Sequence, residues 1–238
     1  MADQSDSMSS NCIKDRLKQV EARIQKAASL ANRDANHITL LAVSKTKPVS
    51  DIVTAYSNGH RHFGENYVQE AVDKVKILSD KKDILWHFIG PLQSNKSKFI
   101  AEYFDWFHSL DRIKIAKRLN EQRTPYQNPL NVCVQVNVDD ENNKAGIAVE
   151  EVEDFVASIQ KYERICCRGL MTIPKAGVDD SERRQSFATM QVLFSKCAQK
   201  FERFDTLSMG MSQDLELAVE YDANIIRVGT DIFGARKK

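Results

Sequence analysis

The apolar positions of this chain change their period along its length. Ile13, Leu17, Val20, Ile24, Ala27 and Ala31 recur at steps of three and four, which puts them on one face of a helix, so residues 10–34 read as one amphipathic helix. Residues 1–10 (MADQSDSMSS) carry no such stripe and are expected to form a disordered tail. Eight short apolar runs follow, at 38–45 (ITLLAVSK), 60–64 (HRHFG), 85–90 (LWHFIG), 105–110 (DWFHSL), 131–138, 165–173, 206–211 and 225–230. Runs this short and this continuously apolar predict strands buried on both faces.

Helical stripes separate these runs. Val68, Ala71, Val72, Val75 and Leu78 form one, Val149, Val152, Phe155, Val156 and Ile159 another, and Phe187, Met190, Leu193, Phe194, Cys197 and Phe201 a third. Buried strands each followed by a one-sided helix imply a parallel sheet covered by helices. Eight such units in about 200 residues fit a single (β/α)8 TIM barrel preceded by an extra N-terminal helix, with a doubly wound open sheet as the alternative. No shift in composition marks a linker, so residues 11–238 are expected to form one domain.

Composition narrows the function classes. Lys and Arg total 34 against 33 Asp and Glu, a net charge of +1, so no broad positive field draws the chain to nucleic acid or an anionic membrane. The chain has no apolar run of spanning length, and its first residues lack a signal peptide's basic and apolar regions, so a cytoplasmic protein is expected. Cys12, Cys133, Cys166, Cys167 and Cys197 are odd in number and lack C-x-x-C spacing, which argues against a disulfide framework and a zinc site.

Glycines 64, 90, 210, 229 and 234 fall at or just past the C-terminal ends of the strand runs, the end where a barrel carries its site. Lys45 closes the first run, where partial desolvation favours the neutral amine that forms a Schiff base; the alternative is a solvated rim lysine. Lys47 ranks lower, because Pro48 places it in the loop. Ser212, Gly229 and Thr230 follow runs seven and eight, where barrels commonly bind phosphate, although Ser212 also reads as a helix N-cap. Arg227 points away from Val228 along its strand and would face the interior, where it needs a carboxylate or a ligand acceptor. His60 and His62 have the spacing of two metal ligands but no third, Asp139, Glu141 and Asn143 imitate a calcium loop without its glycine, and His87 and His108 read as core histidines.

Together the strings AVSKTKP, HFGENYVQE, WHFIGPLQSNK, HSLDR, QVNVDDENNKAG, GLMTIP, LSMGMSQD and RVGTDIFGAR, in order from residue 42 to 236, resemble the pyridoxal 5′-phosphate (PLP) homeostasis family. The resemblance implies a barrel similar to the N-terminal domain of alanine racemase. It implies that Lys45 holds PLP as a covalent aldimine, that Ser212, Gly229 and Thr230 bind its phosphate, that Arg227 faces the pyridine nitrogen, and that Asn66 and Met209 line the ring. The turn Asp222-Ala223-Asn224 departs from the family, which often has glycine and hydroxyl residues there.

An arginine at the pyridine nitrogen makes the ring a weaker electron sink. A racemase also needs a second acid/base, which related enzymes take from a further domain, and this chain ends at Lys238. The expectation is therefore a non-catalytic, monomeric PLP carrier that buffers the cofactor or delivers it to apo PLP-dependent enzymes. A PLP-dependent amino-acid racemase is the alternative, with a loop tyrosine such as Tyr67 closing the site.

Overall fold

A computed structural model describes residues 3–142 and 144–235, with side chains from Cys12 onward at the N-terminus. The strands are β1 (Thr39–Val43), β2 (His62–Glu65), β3 (Leu85–Phe88), β4 (Trp106–Leu110), β5 (Leu130–Gln135), β6 (Ile165–Met171), β7 (Thr206–Ser208) and β8 (Ile225–Val228). They close in sequence order, β8 pairing with β1, into an all-parallel barrel. Each strand falls on one of the eight apolar runs, β2 reaching one residue past its run at Glu65 and β5 starting one before its run at Leu130, and most stop before the run ends. The residues left over are the loops of the C-terminal mouth.

Among the described residues the helices are α1 (Asp3–Leu30), α2 (Val49–Ser57), α3 (Val68–Ile77), α4 (Ser97–Tyr103), α5 (Ile113–Gln122), α6 (Val152–Ile159), α7 (Asp180–Ala198), α8 (Leu215–Glu220) and α9 (Thr230–Phe233). Helix α1 starts at Asp3, inside the stretch 1–10 whose lack of an apolar stripe marks it as a tail. Residues 1 and 2 lie outside the described residues. Once the packed turns of α1 exist, each added residue extends a helix without a new nucleation cost. The stripe itself is buried from Ile13 through Ala27, and α1 packs on α2, α8 and α9.

Register decides what each layer contains. Ala42 aligns with Phe63, Phe88 with Phe107 and Phe107 with Val132, and residues in register share a face. These wholly buried side chains join Ile52, Ile100, Ile115, Leu119 and Val156 from the helices in one apolar core. Leu41 aligns with Arg227, and Val43 with Gly64 and through it with His87. That second row faces the barrel interior and carries the polar groups.

Candidate functional site

In the closed order β7, β8, β1 and β2 are contiguous, and because all run parallel, the residues following them gather on one sector of the C-terminal mouth. Lys45 follows β1, Asn66 follows β2, Met209 and Ser212 follow β7, and Gly229 and Thr230 follow β8. Contact between the ends of β8 and β1 is close: a Cβ on Gly229 would lie 3.2 Å from the Val43 carbonyl oxygen. Gly90 is needed at the end of β3, since a Cβ there would lie 2.2 Å from the Asn66 carbonyl oxygen and 2.7 Å from its Oδ1. Gly210 combines φ +92° with a position where a Cβ would lie 2.4 Å from the Cβ of Ala218, so only glycine lets β7 turn into α8.

Lys45 is half-buried in a loop whose backbone is held in an unusual shape. Thr46 has φ +63°, a strained value for a β-branched residue that persists only when its surroundings impose it. Here the restraint comes from a buried ionic cluster. Lys74 Nζ on α3 donates to the Ser44 carbonyl at 2.8 Å, to Glu65 Oε1 at 2.8 Å and to Glu70 Oε1 at 2.6 Å. Ser44 Oγ donates to Glu65 Oε1 at 2.6 Å, and the Thr46 amide donates to Glu70 Oε1 at 2.6 Å. Burial raises the pKa of Glu65 against the pull of Lys74 and Ser44, and its second oxygen is buried without a partner. Lys47 is committed elsewhere: its Nζ donates to the carbonyls of Phe233, Gly234 and Ala235 at 2.9–3.0 Å.

The composition of this cluster escapes a reading of periodicity alone. Its one signal is charge in the wrong place: Glu65 ends an apolar strand and Lys74 sits beside the stripe of α3. A second missed residue is Arg23 on α1. It donates to Glu216, to Asp231 Oδ2 at 2.7 Å and to the Ser212 carbonyl at 2.8 Å, joining α1 to the turn that carries Ser212 and to the start of α9 at Thr230. The N-cap of α8 is Asp214, which accepts the Met211 amide, so Ser212 is not the cap.

Arg227 is 4% exposed and fixed inside the barrel. Nη1 donates to the Ser208 carbonyl at 2.7 Å and to Ser208 Oγ at 2.9 Å, and Nη2 donates to the Thr172 carbonyl at 2.8 Å. Among the described residues it is in no ion pair, so carbonyl and hydroxyl oxygens satisfy it where a carboxylate could have. Burial lowers its pKa to about 10, which still leaves it charged at neutral pH. Met209 is wholly buried in the core, Asn66 and Ser212 are half-buried, and Thr230 is exposed. Tyr67 is exposed at the N-cap of α3.

The remaining candidates have other uses. His60 Nε2 donates to the His62 carbonyl at 2.8 Å, and among the described residues no group of three or more His, Cys, Asp or Glu could hold a metal ion. Asp139 accepts the Lys175 amide and the Ser186 hydroxyl, while Asn143 lies outside the described residues. The cysteines are free thiols; burial pushes Cys167 up to about 12 and Cys197 to about 11, which disfavours the thiolate. In the turn at Asp222, Arg33 donates to the carbonyls of Val219, Asp222 and Ala223, supplying through a side chain what a glycine turn would leave to water. Among the described residues no helix is long and apolar enough to cross a membrane.

Residues 16–237 match the model of the alanine racemase N-terminal domain family. The pyridoxal phosphate homeostasis protein of Pasteurella multocida is 49% identical over 227 residues, 94% of this chain and 97% of the relative, and that of Escherichia coli K12 is 46% identical over 228 residues, 95% and 97%. PipY of Synechococcus elongatus, solved with PLP bound, superposes with a TM-score of 0.80 at 37% identity over 93% of this chain and all of that one. Alanine racemase from E. faecalis shares the fold alone, with a TM-score of 0.71 at 16% identity over 95% of this chain and 58% of that one. With this much identity over nearly its whole length, and with a lysine, two hydroxyls and an arginine on or just after three adjoining strands of the same barrel, the chain belongs to the family of pyridoxal phosphate homeostasis proteins.

Proposed function

We propose that this protein holds PLP at the C-terminal mouth of its barrel and buffers it or delivers it to apo PLP-dependent enzymes. The observation that carries this reading is the placement of Lys45. It follows β1 at the mouth, in a loop strained at Thr46 and restrained by Lys74, Glu65 and Glu70, while Lys47 is bound to the end of α9. The donor set fits the cofactor. A primary amine matches the aldehyde, Ser212 and Thr230 offer hydroxyls for the phosphate, and Gly229 keeps the backbone open where a Cβ would press on Val43. When bound, PLP supplies an aldehyde that condenses with an amine, losing water to give a Schiff base, which we assign to Lys45.

Arg227 favours holding over catalysis. Its guanidinium has five N–H donors and no acceptor. Three of its bonds go to Ser208 and Thr172, which fixes its plane and leaves donors for a ring nitrogen. A donor at that position keeps the nitrogen unprotonated, and the ring then withdraws electrons weakly. Asn66, braced against Gly90, and Met209 are assigned to the ring's surroundings. Residues 11–238 act as one unit, which we infer to be cytoplasmic and monomeric.

Reduction of the PLP-loaded protein with borohydride, followed by peptide mapping, should find the pyridoxyl group on Lys45, and Lys45→Ala should lose the visible absorption band. Labelling that falls on Lys47, or a band that survives in Lys45→Ala, would overturn the assignment.

A further inference from the structure

Three histidines line the barrel interior on three successive strands and touch end to end. His62 Nδ1 lies 3.1 Å from His87 Nε2, His87 Nδ1 lies 2.9 Å from His108 Nε2, and His108 Nδ1 lies 3.0 Å from Ser208 Oγ. Ser208 Oγ in turn accepts from Arg227 Nη1 at 2.9 Å. Since β4 and β7 are not neighbours, the last ring-to-hydroxyl bond crosses the interior. His62 also lines a cleft of about 430 Å³ at the N-terminal mouth, with Glu21, Gln25, Asn36 and His60 among its walls. One end of the chain therefore reaches a cleft, and the other ends on the arginine.

We propose that His62, His87, His108 and Ser208 are positioning residues for Arg227, joined in a hydrogen-bond chain whose direction is set by the protonation state of His62. This rests on Arg227 facing the cofactor ring, as proposed above. An arginine only donates, so Ser208 must accept from it and has one hydrogen of its own to give. Given to His108 Nδ1, that hydrogen makes Nδ1 an acceptor and places the proton of neutral His108 on Nε2, where it donates to His87 Nδ1. His87 then carries its proton on Nε2 and donates to His62 Nδ1, and His62 carries its own on Nε2.

An imidazolium at His62 has N–H on both nitrogens, so its Nδ1 must donate and the chain reverses. In the reversed chain His62 carries N–H on both nitrogens, His87 and His108 carry theirs on Nδ1, and Ser208 keeps its hydroxyl hydrogen, the one added proton coming from bulk solvent. The chain has gained one proton, and only His62 is charged. Ser208 Oγ now accepts from both His108 and Arg227, and its own hydrogen turns away. The arginine's bonding is thus altered by an event at the opposite mouth.

The surroundings isolate this response. Among the described residues no carboxylate bonds to any of the three rings. Just before β2, His60 donates to the His62 carbonyl and Arg61 pairs with Asp83. From β5, burial holds the Cys133 thiol far above its usual range. From β6, Arg168 pairs with Asp205 at 2.6 Å. Asp214, on the loop after β7, acts on Arg227 only through space. Glu21 on α1 lies in the cleft beside His62. Burial lowers the pKa of His62, drives His87 far down and takes His108 to about 3, so the half-exposed ring is the one that takes up the proton.

The test is nitrogen-15 NMR of the imidazole rings in PLP-free protein from pH 8 to pH 5. Nε2–H tautomers of His87 and His108 should give way to Nδ1–H with one shared midpoint below pH 6.5, that of His62. In His62→Gln, which does not titrate, neither ring should change. Rings that keep their tautomers while His62 titrates would overturn the proposal, as would an unchanged switch in His62→Gln. Should His62→Gln not fold, as judged by circular dichroism, the wild-type titration alone decides. A parallel titration of the PLP-loaded visible spectrum should lose a pH-dependent step in His62→Gln. Absence of any visible band would count against PLP binding and leave the NMR result readable.

Discussion

Lys74 shows how much a single residue can carry in this fold. Its ammonium is nearly buried between the wholly buried Glu65 and the half-buried Glu70. Removing one partner of a buried pair strands the other charge in a medium that solvates it poorly, a loss of about 3–5 kcal/mol. Lys74→Met should therefore destabilise the protein by about that amount in urea unfolding, and Lys74→Met with Glu65→Leu should recover most of it. If the double variant is as unstable as the single one, the cluster matters for packing and not for charge. The loop carrying Lys45 depends on the same contacts, so the single variant should also bind PLP more weakly.

At the scale of elements, α1 serves the site as well as covering the barrel. Arg23 joins α1 to the turn before α8 and to the start of α9 through one fork of donors. The guanidinium is about a third exposed, so water screens its ion pairs and their contribution to stability is small. Its effect should appear in geometry. Arg23→Ala is expected to lower PLP affinity roughly three- to tenfold, measured by absorbance titration, with little change in melting temperature. Pyridoxal, which lacks the phosphate, should bind Arg23→Ala and wild type alike; equal weakening for both ligands would place the Arg23 effect away from the phosphate.

The whole molecule records its buried histidines in its acid stability. His60 and His108 are lowered to about 4 and about 3 by burial, and His62 and His87 are also lowered. Below pH 6.5 the unfolded chain binds protons that the folded chain refuses. Stability is thus full above the unfolded value and falls as pH drops toward the folded values, by up to about 1.4 kcal/mol per unit for each group. Melting temperature should be level from pH 8 to 7 and fall steeply from pH 6 to 4.5. His60→Gln, whose amide can still donate to the His62 carbonyl, should make the fall shallower. A melting temperature independent of pH across this range would contradict the buried, uncharged state of these rings.

What the sequence determined by itself was what repeats locally. The alternation of short apolar runs with one-sided helices specifies eight strand–helix units, because strand and helix periods are properties of neighbouring residues. Lys45, Ser212, Gly229 and Thr230 were legible for the same reason: each lies just past the end of a strand, and parallel strands put such residues at one mouth. The strand ends themselves were less legible, since an apolar run continues into the loop when the loop is buried. Tertiary structure alone decided which residues meet. His62, His87, His108 and Ser208 read locally as isolated polar residues in apolar runs, and His108 is 100 residues from Ser208. They form one chain because closing the barrel fixes the register of each strand against the next. That register turns the same alternate positions inward on every strand, and a polar side chain shut inside must find its partner across the interior.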